Sequence, residues 1–158
     1  MEPVVHSIVI KRPIEEVFDV ATCQERCVVW RGPIVSAEKI SDGPVEVGTT
    51  YQHQVKFLGV TVEATPVVTL WEPPYRAEFE SKSGPATYYL KFTCEETPEG
   101  TKLTTVIEAE LRGAFNHVPD ILVHRAISRQ HASDLESFKE LLESETPIRV
   151  QGDQLSSE

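Results

Sequence analysis

The feature that most constrains this chain is a change of texture at Gly113. From Ile34 to that glycine, short runs alternate apolar and polar residues, and each run is cut by a turn signal. Beyond it, as far as Pro147, apolar residues recur at helical spacing without punctuation. Turn chemistry falls at 41–44 (SDGP), 58–59 (LG), 72–74 (EPP), 83–85 (SGP) and 97–100 (TPEG). Such a chain folds as an antiparallel meander followed by one long helix. The meander holds strands centred near residues 37, 53, 65, 78, 91 and 107. An earlier run, VVHSIVIK at 4–11, is rich in β-branched side chains and stopped by Pro13, which adds a seventh strand.

Two short helices separate the first strand from the second. One covers 14–20, opened by Pro13, with Glu15 and Glu16 in the positive first turn and Val17, Phe18 and Ala21 on its apolar side. The other, Gln24 to Val29, stops near Trp30 and the breakers Gly32 and Pro33. The predicted class is therefore α+β: a seven-stranded curved antiparallel sheet around a long C-terminal helix. A domain over 1–146 and a polar tail over 147–158 account for the 158 residues, too few for a second full domain.

Side chains alternate across a strand, so the pattern also assigns faces. Tyr51, His53, Val55 and Phe57 form one inward set, and Ala77, Phe79 and Ser81 another. Tyr88, Leu90, Phe92 and Cys94, then Leu103, Thr105, Ile107, Ala109 and Leu111, complete the concave side. The intervening Glu78, Glu80, Lys91, Glu95, Glu108 and Glu110 belong to the solvated face.

The long helix predicts roughly 28 residues, about 42 Å at the usual rise. Pro119 and Asp120 belong in its first turn, with Asn116 as a candidate cap. The 3,4 spacing of Ile121, His124, Ser128, His131, Leu135, Phe138 and Leu142 marks a stripe that is apolar at its C-terminal end and polar in the middle. Three of the five histidines, His117, His124 and His131, lie seven apart on this stretch. That spacing separates neighbours by about 10.5 Å along a helix, so one ion cannot bind all three. A helical pair of ligands needs a spacing of three or four, which no histidine here has. No metal site and no cofactor are predicted.

Catalytic signatures are also missing from the sequence: there is no GxSxG, no cysteine with a recognisable histidine pattern and no paired-carboxylate motif. Ser128 lies within one turn of His124 and His131, where contact is allowed but is commonly structural. Cys23, Cys27 and Cys94 make an odd set without CxxC spacing and read as buried thiols. The acidic pairs Glu15/Glu16 and Glu95/Glu96 read as solvated surface, and Trp71 as an anchor at a strand end.

The formal charge of −10 opposes encounters with nucleic acid and anionic membrane surfaces. No apolar run reaches the length of a membrane span and the start is not built like a secretory signal, so a cytoplasmic protein without stable membrane insertion is expected. Oligomeric state is left open.

A core packed to normal density would rarely turn so many hydrogen-bonding groups inward, since each unpaired one costs ~1–3 kcal/mol. A hollow between sheet and helix resolves the conflict. Tyr51, His53, Tyr88, His124, Ser128 and His131 would be its polar lining, and Phe57, Phe79, Leu90, Phe92 and Ile107 its apolar walls.

The residues also carry a likeness. SIVIKRPIEEVFDVATCQERCVVW (7–30), GPVEVGTTY (43–51), FLG (57–59), VVTLWEPPYR (67–76), EGTKLT (99–104) and DLESFKELLE (134–143) together resemble the START-like SRPBCC superfamily. More narrowly they are similar to its polyketide cyclase/dehydrase and lipid-transport group, with proteins like the G subunit of carbon monoxide dehydrogenase as near kin. The resemblance implies the helix-grip fold and a ligand hollow between the sheet and the C-terminal helix, open near the short helices and strand loops. It supplies no universal catalytic motif, so it carries over no catalytic residue.

The expected function is binding of a hydrophobic or amphipathic small molecule, such as a lipid, polyketide or aromatic compound. One alternative is a cyclase or dehydratase using a pocket histidine or tyrosine as general acid or base. Another is a cochaperone or redox-accessory module that works through its outer surface.

Overall fold

Eight strands stand among the described residues, one more than the sequence pattern predicts, and a single proline accounts for the difference. The structure, a computed structural model, describes residues 2–144 apart from 83, 85 and 112, so the predicted tail at 147–158 lies outside the described residues. The run centred near residue 65 divides into β4 (Val60–Ala64) and β5 (Val67–Glu72). Pro66, between them, has no N–H to give to a ladder. Its carbonyl instead accepts the Tyr51 N–H at 2.9 Å.

The same break divides the sheet. β1 (Val4–Ile10), β8 (Gly100–Leu111), β7 (Ala86–Thr97), β6 (Arg76–Ser81) and β5 pair in that order as five strands. β2 (Ile34–Lys39), β3 (Tyr51–Phe57) and β4 form a second sheet of three. The single seven-stranded sheet expected from the pattern is thus corrected to two, while every pairing is antiparallel as expected. Backbone bonds tie the sheets at one corner, where the Val68 N–H donates to Thr49 O at 2.9 Å beside the Tyr51 to Pro66 bond.

Two turns show why their residues are there. Leu58 and Gly59 stand at φ 51° and 79°, the left-handed pair that closes the tight β3–β4 hairpin. Gly100, where β7 turns into β8, runs so close to the end of β1 that a Cβ would stand 2.2 Å from Ile10 O.

The predicted short helices are present as α1 (Ile14–Thr22) and a 3-10 helix (Gln24–Val29). α1 buries Ile14, Val17, Phe18, Val20 and Ala21, and Phe18 meets Trp71 with ring centroids 5.3 Å apart. The C-terminal helix α2 (Asp120–Glu143) has 24 residues rather than 28, because Gly113–Phe115 form a separate 3-10 turn ahead of it. Pro119 stands at its N-cap position without a side-chain cap, and Asn116 is exposed in the preceding turn.

The inward faces follow the alternation closely. Tyr51, His53, Ala77, Phe79, Ser81, Leu90, Phe92, Cys94, Leu103 and Thr105 are all buried, and their strand neighbours are half-buried or exposed. On α2 the phase differs from the predicted stripe. Val123, His131, Asp134, Leu135, Phe138 and Leu142 are buried, while Ile121 is 64% exposed. Counting back from Phe138 by 3.6 residues passes near 134, 131, 127 and 124, and so misses 121 and 128. Phe138 and Trp30 then close the C-terminal half of the core with ring centroids 4.8 Å apart.

Candidate functional site: a hollow between two sheets and a helix

Beneath the N-terminal half of α2, where the buried stripe turns polar, the layers do not close. A cavity of about 110 Å³ remains between the two concave faces and the helix. Alternate residues of four strands form its walls: Val55 and Phe57 of β3, Val62 and Ala64 of β4, Tyr88 and Leu90 of β7, and Ile107, Ala109 and Leu111 of β8. α2 contributes Ile127, Gln130, His131 and Asp134, and the segment after the 3-10 helix contributes Arg31, Pro33 and Ile34. On the outer side, Pro33, Phe57 and Gln130 also line an open groove of about 590 Å³ whose rim includes Lys56 and Arg129.

The lining is mostly apolar, with a few polar groups at fixed points. Thr105 Oγ1 and His131 Nε2 share a hydrogen bond of 2.6 Å. Burial, helped by the Arg31 and His6 charges, pushes the His131 pKa down to about 3, so the ring is neutral. Behind the wall lies His53, which is completely buried and has no hydrogen-bond partner at either ring nitrogen. Burial first, and Arg31 second, lowers its pKa to about 4. The Tyr88 hydroxyl is likewise buried without a partner, and burial pushes its pKa up to about 12.

Arg31 has its Nη1 buried without an acceptor. Its charge bears on Cys27, His53, Tyr88, His131 and Asp134, and its side chain also bonds the Cys27 thiol. Asp134 Oδ1 accepts the Gly32 N–H at 3.0 Å and the Gln130 side-chain amide at 2.8 Å. Burial raises the Asp134 pKa, and these two hydrogen bonds and Arg31 act against it.

Of the residues assigned to the site from sequence, Phe57, Tyr88, Leu90, Ile107 and His131 line the cavity. Tyr51, His53, Phe79 and Phe92 stand in the layer behind it, where Phe79 meets Phe92 edge-on at 6.0 Å and Tyr51 at 6.5 Å. His124 and Ser128 lie on the flank of α2 that faces β1. There His124 Nε2 approaches Pro3 O at 3.5 Å, and His6 Nε2 stands 3.2 Å from Ser128 Oγ. His117 is exposed ahead of the helix.

Sequence reasoning missed Arg31, Gln130 and Asp134. Asp134 shares the 3.6-residue stripe with Phe138, and counting back from that phenylalanine finds it; Gln130 stands one turn before Asp134. Arg31 lies in an irregular connection where no period operates. Among the described residues, no group of three or more His, Cys, Asp or Glu could hold a metal ion.

The family described as polyketide cyclase / dehydrase and lipid transport matches residues 1–143. The chain belongs to that family. This member of the polyketide cyclase/dehydrase and lipid transport family has no match among curated proteins. Solved structures share its fold. TTHA0849 from Thermus thermophilus is 21% identical with a TM-score of 0.76, covering 92% of this chain and 100% of its own. A conserved protein from Geobacillus kaustophilus is 17% identical with a TM-score of 0.73, covering 89% and 95%. Ara h 8.0201 is 14% identical with a TM-score of 0.64, covering 89% and 97%. At such identities the likeness establishes the helix-grip fold of the family member and nothing finer. No helix among the described residues is long and apolar enough to cross a membrane.

Proposed function

We propose that this member of the polyketide cyclase/dehydrase and lipid transport family binds a hydrophobic or amphipathic small molecule in the hollow between its two sheets and α2. The observation that carries the reading is the composition of the cavity wall. The lining is mostly apolar, and two of its side chains have a polar atom, the Tyr88 hydroxyl and an Arg31 nitrogen, that is buried without a partner among the described residues. Orphaned polar groups of this kind are costly in an empty fold and are what a guest's polar end would satisfy.

The guest's apolar part would lie on Phe57, Leu90 and Ile107, with affinity of ~25 cal/mol for each Å² removed from water. His131 would be held as a neutral hydrogen-bonding wall by Thr105. Tyr51, His53, Phe79 and Phe92 would stiffen that wall from behind, and His124 and Ser128 would brace α2 against β1. A volume of about 110 Å³ favours a single ring or a short chain over a sterol.

Native mass spectrometry and solvent extraction of the purified protein test the reading directly. A co-purifying apolar compound, displaced by an added aromatic or short-chain lipid probe, is the expected result. Leu90→Trp, which fills the hollow, should abolish probe binding in a protein whose circular dichroism is unchanged. Wild-type protein that neither carries nor takes up any such compound would rule the reading out.

A further inference from the structure

We propose that the guest is an organic anion, a small apolar body bearing a carboxylate, and that Arg31 is the residue that selects for its charge. The inference rests on the binding role proposed above and adds the chemical class of ligand.

Arg31 lines the cavity, and its Nη1 is buried with no acceptor. A guanidinium keeps its charge at any pH a protein experiences, and its planar fork matches a carboxylate. The carboxylate nearest to hand inside the fold, Asp134, does not take the role. It is held by the Gly32 N–H and the Gln130 amide, and among the described residues no ion pair joins it to Arg31. The Tyr88 hydroxyl, the other orphan on the wall, can donate as well. Two donor atoms without acceptors among the described residues, one of them permanently charged, belong to side chains that line the hollow.

A groove next to the hollow carries the same sign. The groove that shares Pro33, Phe57 and Gln130 with the cavity is rimmed by Lys56 and Arg129. Neither is in an ion pair among the described residues. In a chain of formal charge −10, a cationic groove beside an apolar pocket draws anions where the rest of the surface repels them.

The test compares 3-phenylpropanoate with 3-phenyl-1-propanol, which share one apolar skeleton and differ in charge. Each is titrated into the intact protein at pH 7.5 by calorimetry and by saturation-transfer NMR. The acid is expected to bind at least about ten-fold more tightly than the alcohol, the ratio that one charge-assisted hydrogen-bonded pair supplies. Arg31→Met should abolish that preference and leave the alcohol's affinity within about three-fold, and Arg31→Lys should retain part of it. Equal binding of acid and alcohol by wild-type protein overturns the anion proposal and leaves the binding role standing. A preference that survives in Arg31→Met also overturns it. Failure of both probes to bind overturns the two readings together. If Arg31→Met does not fold, the wild-type comparison together with Arg31→Lys decides.

Discussion

Thr105 Oγ1 and His131 Nε2 stand 2.6 Å apart, joining the middle of β8 to α2 inside the fold. Replacing Thr105 with valine preserves shape and leaves the imidazole nitrogen without its partner. The expected cost is ~1–3 kcal/mol in chemical denaturation. In the double variant Thr105→Val/His131→Leu neither partner of the bond is left stranded, so the combined cost should fall below the sum of the two single changes. Strict additivity would mean that the contact does not couple the two elements.

The pH dependence of stability follows from two buried histidines. In the folded chain the pKa is about 3 for His131 and about 4 for His53, both below the ordinary 6.5. The unfolded chain therefore takes up protons first as pH falls. The stability of the neutral rings is complete above about 6.5 and is lost progressively below it, at up to about 1.4 kcal/mol per pH unit for each ring. Urea midpoints measured from pH 7.5 down to 4.5 should decline, and His131→Asn should remove one share of the slope. A variant whose slope equals that of the wild type would refute the assignment to His131.

Trp30 and Phe138, 4.8 Å apart, close the far end of the core, and Phe138 is completely buried. Phe138→Ala should cost about 3–5 kcal/mol, because the surrounding side chains relax only partly into the space. The indole beside it offers a fluorescence signal for the loss. A change below about 1 kcal/mol would show that α2 is not seated by this residue.

All three thiols are buried, and burial raises the pKa of each, that of Cys94 to about 12. Thiolate is the reactive form, so a thiol reagent at pH 8 should label none of them in the native protein and all three in denaturant. Prompt native labelling of Cys23 or Cys27 would mean that the 3-10 segment opens readily.

Much of this architecture is legible in the sequence because a strand has a fixed period of two. Tyr51 and His53 on β3, Phe79 and Ser81 on β6, and Leu103 and Thr105 on β8 all face inward as the alternation requires. The division at Pro66 is hidden from such a reading because strand centres located by hydrophobic pattern take no account of a missing N–H. The phase of α2 is a subtler matter. Histidines seven apart suggest a stripe of period 3.5, which drifts from a straight helix by about 20° per heptad. From Phe138 back to Ile121 the accumulated drift carries Ser128 and Ile121 away from the core-facing line, and Asp134 and Gln130 reach the cavity from the other side of that line. Arg31 lies outside any repeating element, and only its surroundings in three dimensions mark it.

Because Pro66 interrupts the ladder, the hollow is bounded by two separately stitched surfaces rather than by one continuous barrel. The bonds from Tyr51 to Pro66 and from Val68 to Thr49 form a seam along one edge. Neither ladder runs across that seam from one sheet to the other. The two walls of the chamber therefore owe their spacing to that joint and to the helix packed beneath them, not to a continuous ring of strand pairings.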